Sequence, residues 1–292
     1  MLLGGPAGVV DVDHHGFNFG AEFDEHVVAP YVAAHAEGRT PNPCVECNRH
    51  VKFDLLLRRA IALGFDAVAT GHHARIVERP DGTRRVARGA DVGKDQSYVV
   101  AMLGQDQLAR TWFPIGAMTK AAVRARAAEL SLGTADKPDS QEVCFIRRGE
   151  GRSGFVGTRL PLTPGRVVDS GGAVVGAVDA VELVTVGQRR GIGLPGGHDP
   201  RYVLDVDVPA ATVTVGTAEE LLVTSTSVDA WTWADGPVAG RFLAQASAHG
   251  QALPVVVTTA EVRWDGPRRK VAPGQLVVVY DGDEVVASAT AQ

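Results

Sequence analysis

Three cysteines, Cys44, Cys47 and Cys144, are the strongest candidate nucleophiles in this chain of 292 residues. Two lie in TPNPCVECN, residues 40 to 48, at C-x-x-C spacing, and the third lies in ADKPDSQEVCFI, residues 135 to 146. Several chemistries use such a set. A structural zinc needs a fourth ligand, for which His72 or His73 is available, but the chain has no second C-x-x-C. A thioredoxin-like dithiol opens a helix after a strand, whereas Pro41 and Pro43 ahead of Cys44 predict an extended loop. Cys144 sits in the apolar run Val143-Cys144-Phe145-Ile146 and by itself reads as a buried core thiol. The turn expected over residues 137 to 140 argues instead for a loop that can carry the thiol to a site. Two thiols from distant segments also suit sulfur transfer. One holds a persulfide; the other attacks it, releasing sulfide or closing a disulfide.

The elements that must position these thiols change character near residue 150. Before it, residues 22 to 37 predict a helix closed by Gly38, with Pro30 as a possible kink. Asp54 is the expected cap of a helix through Leu63, and Thr119 of a helix in TKAAVRARAAELSLG. Between them, FDAVATGHHA predicts a short buried strand over residues 67 to 70 that opens into Gly71-His72. Helix, strand and helix in this order predict a parallel α/β sheet. Ligands bind beyond the carboxyl ends of such strands, which puts Gly71 and His72 at the expected mouth. After residue 150, RVVDSGGAVVGAV, YVLDVDVPAATVTVG and QLVVVYDGDEVVASAT each predict a hairpin, so this half reads as small antiparallel barrels or sandwiches. RRGEGRSG, residues 147 to 154, is the expected linker.

Composition narrows the classes. Hydrophobic residues make up 45% and charged residues 22% of the chain, and the formal net charge is −5. That balance argues against a uniformly basic nucleic-acid binder, although paired arginines such as Arg189-Arg190 could build one basic face. No stretch approaches a membrane span, and the first residues lack the basic segment of a signal peptide. The expected compartment is the cytoplasm, where three cysteines are too few for a disulfide scaffold and serve catalysis, redox chemistry or metal binding.

Taken in order, GRTPNPCVECNRHVKF, ATGHHARI, GKDQSYV, FPIG, ADKPDSQEVCFI, TVGQRRGIGLP and VAPGQLVVVY resemble the tRNA-specific 2-thiouridylase family over residues 20 to 292. The resemblance implies an ATP-pyrophosphatase-type α/β domain over 1–148, a central β-rich domain over 149–205 and a C-terminal β-barrel over 206–292. It implies ATP-dependent adenylation of the wobble uridine 2-carbonyl, with Mg2+, and then sulfur transfer from a cysteine persulfide. Cys144 resembles the persulfide-bearing cysteine. Cys47 resembles the nucleophile that pairs with it in a disulfide. Asn42, Pro43 and Cys44 match the segment that touches the target base, and Gly71 matches a glycine that contacts ATP. His72, the run Lys94-Asp95-Gln96, and Gln275 match tRNA contacts. No resident metal is implied. The implied partners are the anticodon region of tRNA and a sulfur-carrier or cysteine desulfurase protein.

Two departures stand out. Cys44 replaces an aspartate found in some members, so base contact rather than acid–base work is assigned to it. The glycine- and serine-rich phosphate loop (Ser-Gly-Gly-Val-Asp-Ser-Ser) has only an echo in LGGPAGVVD, residues 3 to 11. The expectation is therefore a family pattern missing an N-terminal portion. The alternatives are a tRNA-binding remnant without catalysis and a dithiol redox protein.

Overall fold

The computed structural model describes residues 13–137, 143–147, 149–195 and 199–292. The phosphate-loop echo at residues 3 to 11, and Pro138, Asp139 and Ser140 of the expected turn, lie outside them. The segment expected to be an extended loop is the start of a helix. Asn42 has extended backbone and its Oδ1 accepts the Cys44 N–H at 3.2 Å. Pro43 follows as the first helical residue, where its missing N–H costs nothing and its fixed φ suits the helix. The helix runs through Pro43–Glu46, a π-helical stretch Cys47–Leu56 and Leu57–Ala62, and Gly64 (φ +89°) closes it. Asp54 is therefore no cap. It lies in mid-helix and pairs with Arg58 one turn on, at 2.8 Å.

An earlier helix, made of Gly20–Phe23, the π turn Asp24–Val28 and Ala29–Ala36, packs beside it. The turn widens just ahead of Pro30, whose ring would otherwise press on the preceding turn. Gly38 (φ +70°) ends this helix as the sequence predicts.

The α/β unit contains a parallel pair, β1 (Val68–Ala69) with β4 (Thr111–Trp112). β1 is only half-buried, not the buried strand expected. Between them, β2 (Ala74–Glu78) and β3 (Arg84–Arg88) form a hairpin. Thr119 caps the helix Lys120–Glu129, its Oγ1 accepting the Ala122 N–H at 3.2 Å. Part of the expected linker is helical, over Gly151–Gly157. The central unit is a four-stranded sheet of β5 (Gly165–Asp169), β6 (Val174–Val178), β7 (Tyr202–Asp207) and β8 (Thr212–Gly216), in the order β6-β5-β8-β7. Because β7 pairs with β8 here, this sheet runs to Gly216 and the border expected after residue 205 falls inside a strand.

The last unit holds β9 (Leu222–Trp233), β10 (Gly240–Gln245), β11 (Leu253–Val257), β12 (Glu261–Arg269), β13 (Leu276–Asp281) and β14 (Glu284–Ala291). The order β13-β10-β11-β12-β9-β14, with β13 also pairing β14, closes a six-stranded barrel. The fold is thus α/β followed by two β-rich units, the last a barrel. Strand alternation lets β13 serve two cores. Val277 and Val279 face the barrel interior with Val255, Val257 and Val262. Leu276, Val278 and Tyr280 face the α/β unit and pack with Val45, Phe53 and Tyr98.

The three units meet at Thr40. Its N–H donates to the Pro273 carbonyl at 2.7 Å, and its carbonyl accepts from Gln275 Nε2 at 2.6 Å. Its hydroxyl donates to Thr185 Oγ1 of the central unit at 3.3 Å. Gly274 (φ +87°) lets the barrel loop approach this closely, since a Cβ there would lie 3.3 Å from Thr40 N. His35 Nδ1 adds a bond to the Glu182 carbonyl at 3.0 Å. Gln275→Ala should remove about 1 kcal/mol and lower the melting temperature by about 2–4 °C. It should also speed amide exchange at Thr40, Asn42 and Cys44. Unchanged exchange there would show that the junction does not hold the loop.

Candidate active site

Cys44 and Cys47 occupy the first two turns of the helix that starts at Pro43, with Cys44 exposed and Cys47 half-buried. Cys144 comes to them from 97 residues beyond Cys47 in sequence. Its neighbours hold it there. Phe145 packs edge-on against Phe23 and Tyr31 at 5.7 and 5.6 Å, and at a tilt against Phe155 at 5.1 Å. Phe145 and Ile146 are half-buried against this cluster and Cys144 stays exposed, so it is not a core thiol. All three thiols are free, and the disulfide implied between Cys47 and Cys144 is not formed in this structure.

The thiols share one electrostatic site. Burial pushes the Cys44 thiol up; the Cys144 sulfur adds to this and Lys52 opposes it. Burial also raises Cys47, against which Lys52 acts most strongly, followed by the contrary effects of Cys144 and Cys44. At Cys44 exposure and desolvation differ in direction: the residue is open to solvent, yet the protein around the sulfur still favours the neutral thiol. Exposure decides what can reach it; desolvation decides its charge. Lys52 is a residue the sequence reading missed. It follows Cys47 by five positions, the spacing that a π-helix aligns on one face. The signal was present in CNRHVK, but it is hidden if the helix is started at Asp54. Asn48, also missed, is 2% exposed. Its Nδ2 donates to the Val99 carbonyl at 2.8 Å, and its Oδ1 has no partner among the described residues.

His72 lies near this site but not on its surface. It is 7% exposed, packed by Phe53 and Phe113, and shares a 2.7 Å hydrogen bond with Thr70 Oγ1 through Nδ1. Burial, helped by the charges of Lys52 and His73, lowers its pKa from 6.5 to about 4, so it is neutral at pH 7. Its side chain is engaged at the end of β1, so the residue expected to meet tRNA lies buried in this structure. Gly71, next to it, is exposed. An added Cβ there would meet only the Ile115 Cδ1 at 3.9 Å, so the fold itself does not require glycine. An open backbone at the carboxyl end of a parallel strand fits the close approach of a nucleotide.

The other expected contacts are built into the scaffold. Asp95 accepts from the Gly89 and Ser97 N–H groups at 2.9 and 3.0 Å, and from Arg88 and the Ser97 hydroxyl at 2.9 Å each. Gln96 Oε1 accepts the His73 N–H at 2.9 Å. Gln275 is engaged with Thr40, as described, and Asn42 caps the thiol helix while Pro43, its first residue, is buried. Lys94 alone of its run is exposed. These side chains fold the loops that the sequence reading assigned to tRNA, because a motif says which residues recur and not which way they face. Among the described residues no group of three or more His, Cys, Asp or Glu is arranged to hold a metal ion, and no helix is long and apolar enough to cross a membrane.

His72 generates a pH prediction. Its folded pKa lies below its unfolded one, so the unfolded chain binds the extra proton between about pH 6.5 and pH 4. Stability is therefore present above that window and is lost as pH falls through it, by on the order of 3 kcal/mol. His72→Asn should flatten the denaturation midpoint across that range. An equally steep fall in the variant would assign the effect to other groups.

The family models match all three units: tRNA methyl transferase HUP domain over residues 6–148, tRNA methyl transferase PRC-barrel domain over 153–217, and aminomethyltransferase beta-barrel domain over 227–291. The chain is 43% identical to the tRNA-specific 2-thiouridylase MnmA of Streptomyces avermitilis, covering 97% of this chain and 78% of that protein. It is 45% identical to the protein of the same name from Chloroflexus aurantiacus, over 92% of this chain and 77% of the relative. For the one from Mycolicibacterium smegmatis the identity is 43%, over 97% and 82%. With three domain models matched in order and relatives at this identity, the chain belongs to the tRNA-specific 2-thiouridylase family.

Proposed function

We propose that this protein is a tRNA sulfurtransferase that makes 2-thiouridine at the wobble position. The observation that carries the reading is the convergence of Cys144 with Cys47 and Cys44 from a distant segment. The domain models are named for methyl transfer, the relatives for thiolation. Methyl transfer has no need of paired thiols, whereas sulfur transfer needs one to carry sulfur and one to release it.

ATP, with Mg2+, would supply the adenylyl group that turns the uridine 2-oxygen into a leaving group, and Gly71 is the backbone position that fits it. Cys144 carries the sulfur as a persulfide received from a carrier or desulfurase protein, which its exposure permits. The terminal sulfur bonds to C2 of the uridine as the 2-oxygen departs. The Cys47 thiolate then attacks the Cys144 Sγ. That bond forms, the persulfide bond breaks, and its electron pair stays on the new thiocarbonyl sulfur. Lys52 favours the Cys47 thiolate that this step requires. The tRNA must present its base unstacked at the exposed start of the thiol helix, next to Cys44. A reducing cytoplasm would keep all three thiols in the free state they have here.

Purified protein given ATP, Mg2+, a persulfide donor and an unmodified tRNA should yield 2-thiouridine by nucleoside mass spectrometry. Cys144→Ser and Cys47→Ser should each reduce it by about 100-fold or more. Tight tRNA binding with no product would favour the binding-remnant reading, and undiminished product from Cys144→Ser would remove its assigned role.

A further inference from the structure

The barrel has two seams, and they differ in charge. At its seam with the α/β unit the arginines are matched by acids: Arg79 pairs with Glu284 at 2.8 Å, and Arg85 with Asp235 and Glu284. At its seam with the central unit they are not. Arg268 and Arg269 end β12, and each guanidinium lies over an aromatic ring. Arg268 is 3.9 Å from the Trp264 ring centre, and Arg269 is 5.1 Å from that of Tyr202 in β7. Neither has a carboxylate within ion-pair distance among the described residues, while Lys270 beside them takes Asp205 at 3.7 Å. Arg189 and Arg190 extend the row. The Gly187 N–H donates to the Val203 carbonyl at 2.8 Å and the Val203 N–H to the Gln188 carbonyl at 3.0 Å, which brings the backbone of Arg189 beside that of Tyr202. Both arginines are exposed, and among the described residues neither has a carboxylate within ion-pair distance.

We propose that Arg189, Arg190, Arg268 and Arg269 form a phosphate-binding row that holds the sugar–phosphate backbone of tRNA while the wobble base is at the thiols. This rests on the sulfur-transfer reading above. Arg268 is the costly member of the row in the free protein. It is half-buried, its Nη1 is enclosed without a hydrogen-bond partner among the described residues, and burial lowers its pKa with no acid to oppose the shift. A cation desolvated this far and left unpaired is destabilising, and an anion brought to the seam offsets that penalty.

The chemistry of the row selects a polyanion. Planar guanidinium groups match phosphate oxygens, and the rings beneath Arg268 and Arg269 hold two of them in place before the ligand arrives. Four unpaired cations in succession suit a repeating phosphate chain better than a single ion. They also stand out on a chain whose net charge is −5, so the local field orients RNA toward this seam and not toward the surface at large. The row is tied to the thiols through Thr40. Thr185, four residues before Arg189, accepts the Thr40 hydroxyl, and Pro273, four residues after Arg269, accepts the Thr40 N–H. Four residues span at most about 14 Å. The junction that sets the thiol helix therefore also sets the row, and RNA gripped there is held at a fixed distance from the cysteines.

The test is binding of unmodified tRNA to the reduced full chain without ATP or a sulfur donor, so it stands apart from the thiolation assay. Fluorescence anisotropy gives the affinity at salt concentrations from about 50 to 200 mM. Arg268→Gln/Arg269→Gln should bind about tenfold more weakly, and the slope of log Kd against log salt should fall by about 1.5–2, as for two lost phosphate contacts. Arg268→Lys/Arg269→Lys keeps both charges and should keep the native slope. Arg189→Gln/Arg190→Gln should lose slope in the same way. Those two side chains are exposed and unpaired, so this variant carries the test if the first one misfolds. Arg126→Gln/Arg241→Gln removes two paired charges elsewhere and should leave the slope unchanged. A native slope in both seam variants would overturn the proposal, whether or not the chain thiolates tRNA. An equal loss in the Arg126 and Arg241 control would overturn it too, by making the effect one of net charge. So would native tRNA binding by the seam variants with slower sulfur loading of Cys144 from a cysteine desulfurase, which would make the row a docking face for the donor protein. Loss of slope at the seam in a chain that makes no 2-thiouridine would support the row and count against the sulfur-transfer reading alone.

Discussion

The architecture depends on the anchoring of one residue, Thr40. Its N–H and carbonyl are bonded to the barrel loop at Pro273 and Gln275, and its hydroxyl to Thr185 of the central unit. Two residues later Asn42 caps the thiol helix. A displacement at Thr40 therefore reaches Cys44 and Cys47 through only a few bonds of chain. Each hydrogen bond contributes modestly, about 1 kcal/mol. Their value lies in direction: three units fix the entry angle of one helix. β13 reinforces this from below, because its alternate residues fill the barrel core and the α/β core.

The electrostatics of the site set two opposed effects against each other. Burial keeps Cys44 and Cys47 neutral, and Lys52 pulls both toward the thiolate. A neutral resting state suits thiols that must not react until sulfur and substrate are both in place. The long π-helical stretch that aligns Lys52 with Cys47 fits this need, since such widened turns often sit at functional sites. His72 contributes by staying uncharged. A second cation held beside Lys52 in that buried position would be costly, and its lowered pKa is the consequence.

Much of the scaffold was legible in the sequence because local rules determined it. The valine-rich hairpins follow strand alternation, with Asp281 and Gly282 at the turn of the last one. Gly38 and Thr119 act where helix-ending and helix-starting chemistry places them. The start of the thiol helix was missed because Pro43 was weighed as a residue that restricts its predecessor. At the first helical position it is instead favourable, and Asn42 supplies the cap. The site residues split along a similar line. Cys144 lies close enough to Cys47 to influence its thiol, which no spacing in the sequence shows, and the bond between them is not formed here. For His72, Asp95, Gln96 and Gln275, spacing could not reveal that each also holds a hydrogen bond within the fold. Lys52 was missed for a different reason: with the helix started at Asp54, it falls outside the helix that aligns it with Cys47.

The most direct measurement of the central claim is a short bifunctional cross-link between the distant thiols. Dibromobimane becomes fluorescent when it bridges two neighbouring sulfurs, and in the reduced Cys44→Ser protein only Cys47 and Cys144 can be bridged. The account predicts a fluorescent intramolecular product whose proteolysis yields the Cys47 and Cys144 peptides joined. Recovery of both peptides singly alkylated, with no joined product, would contradict it.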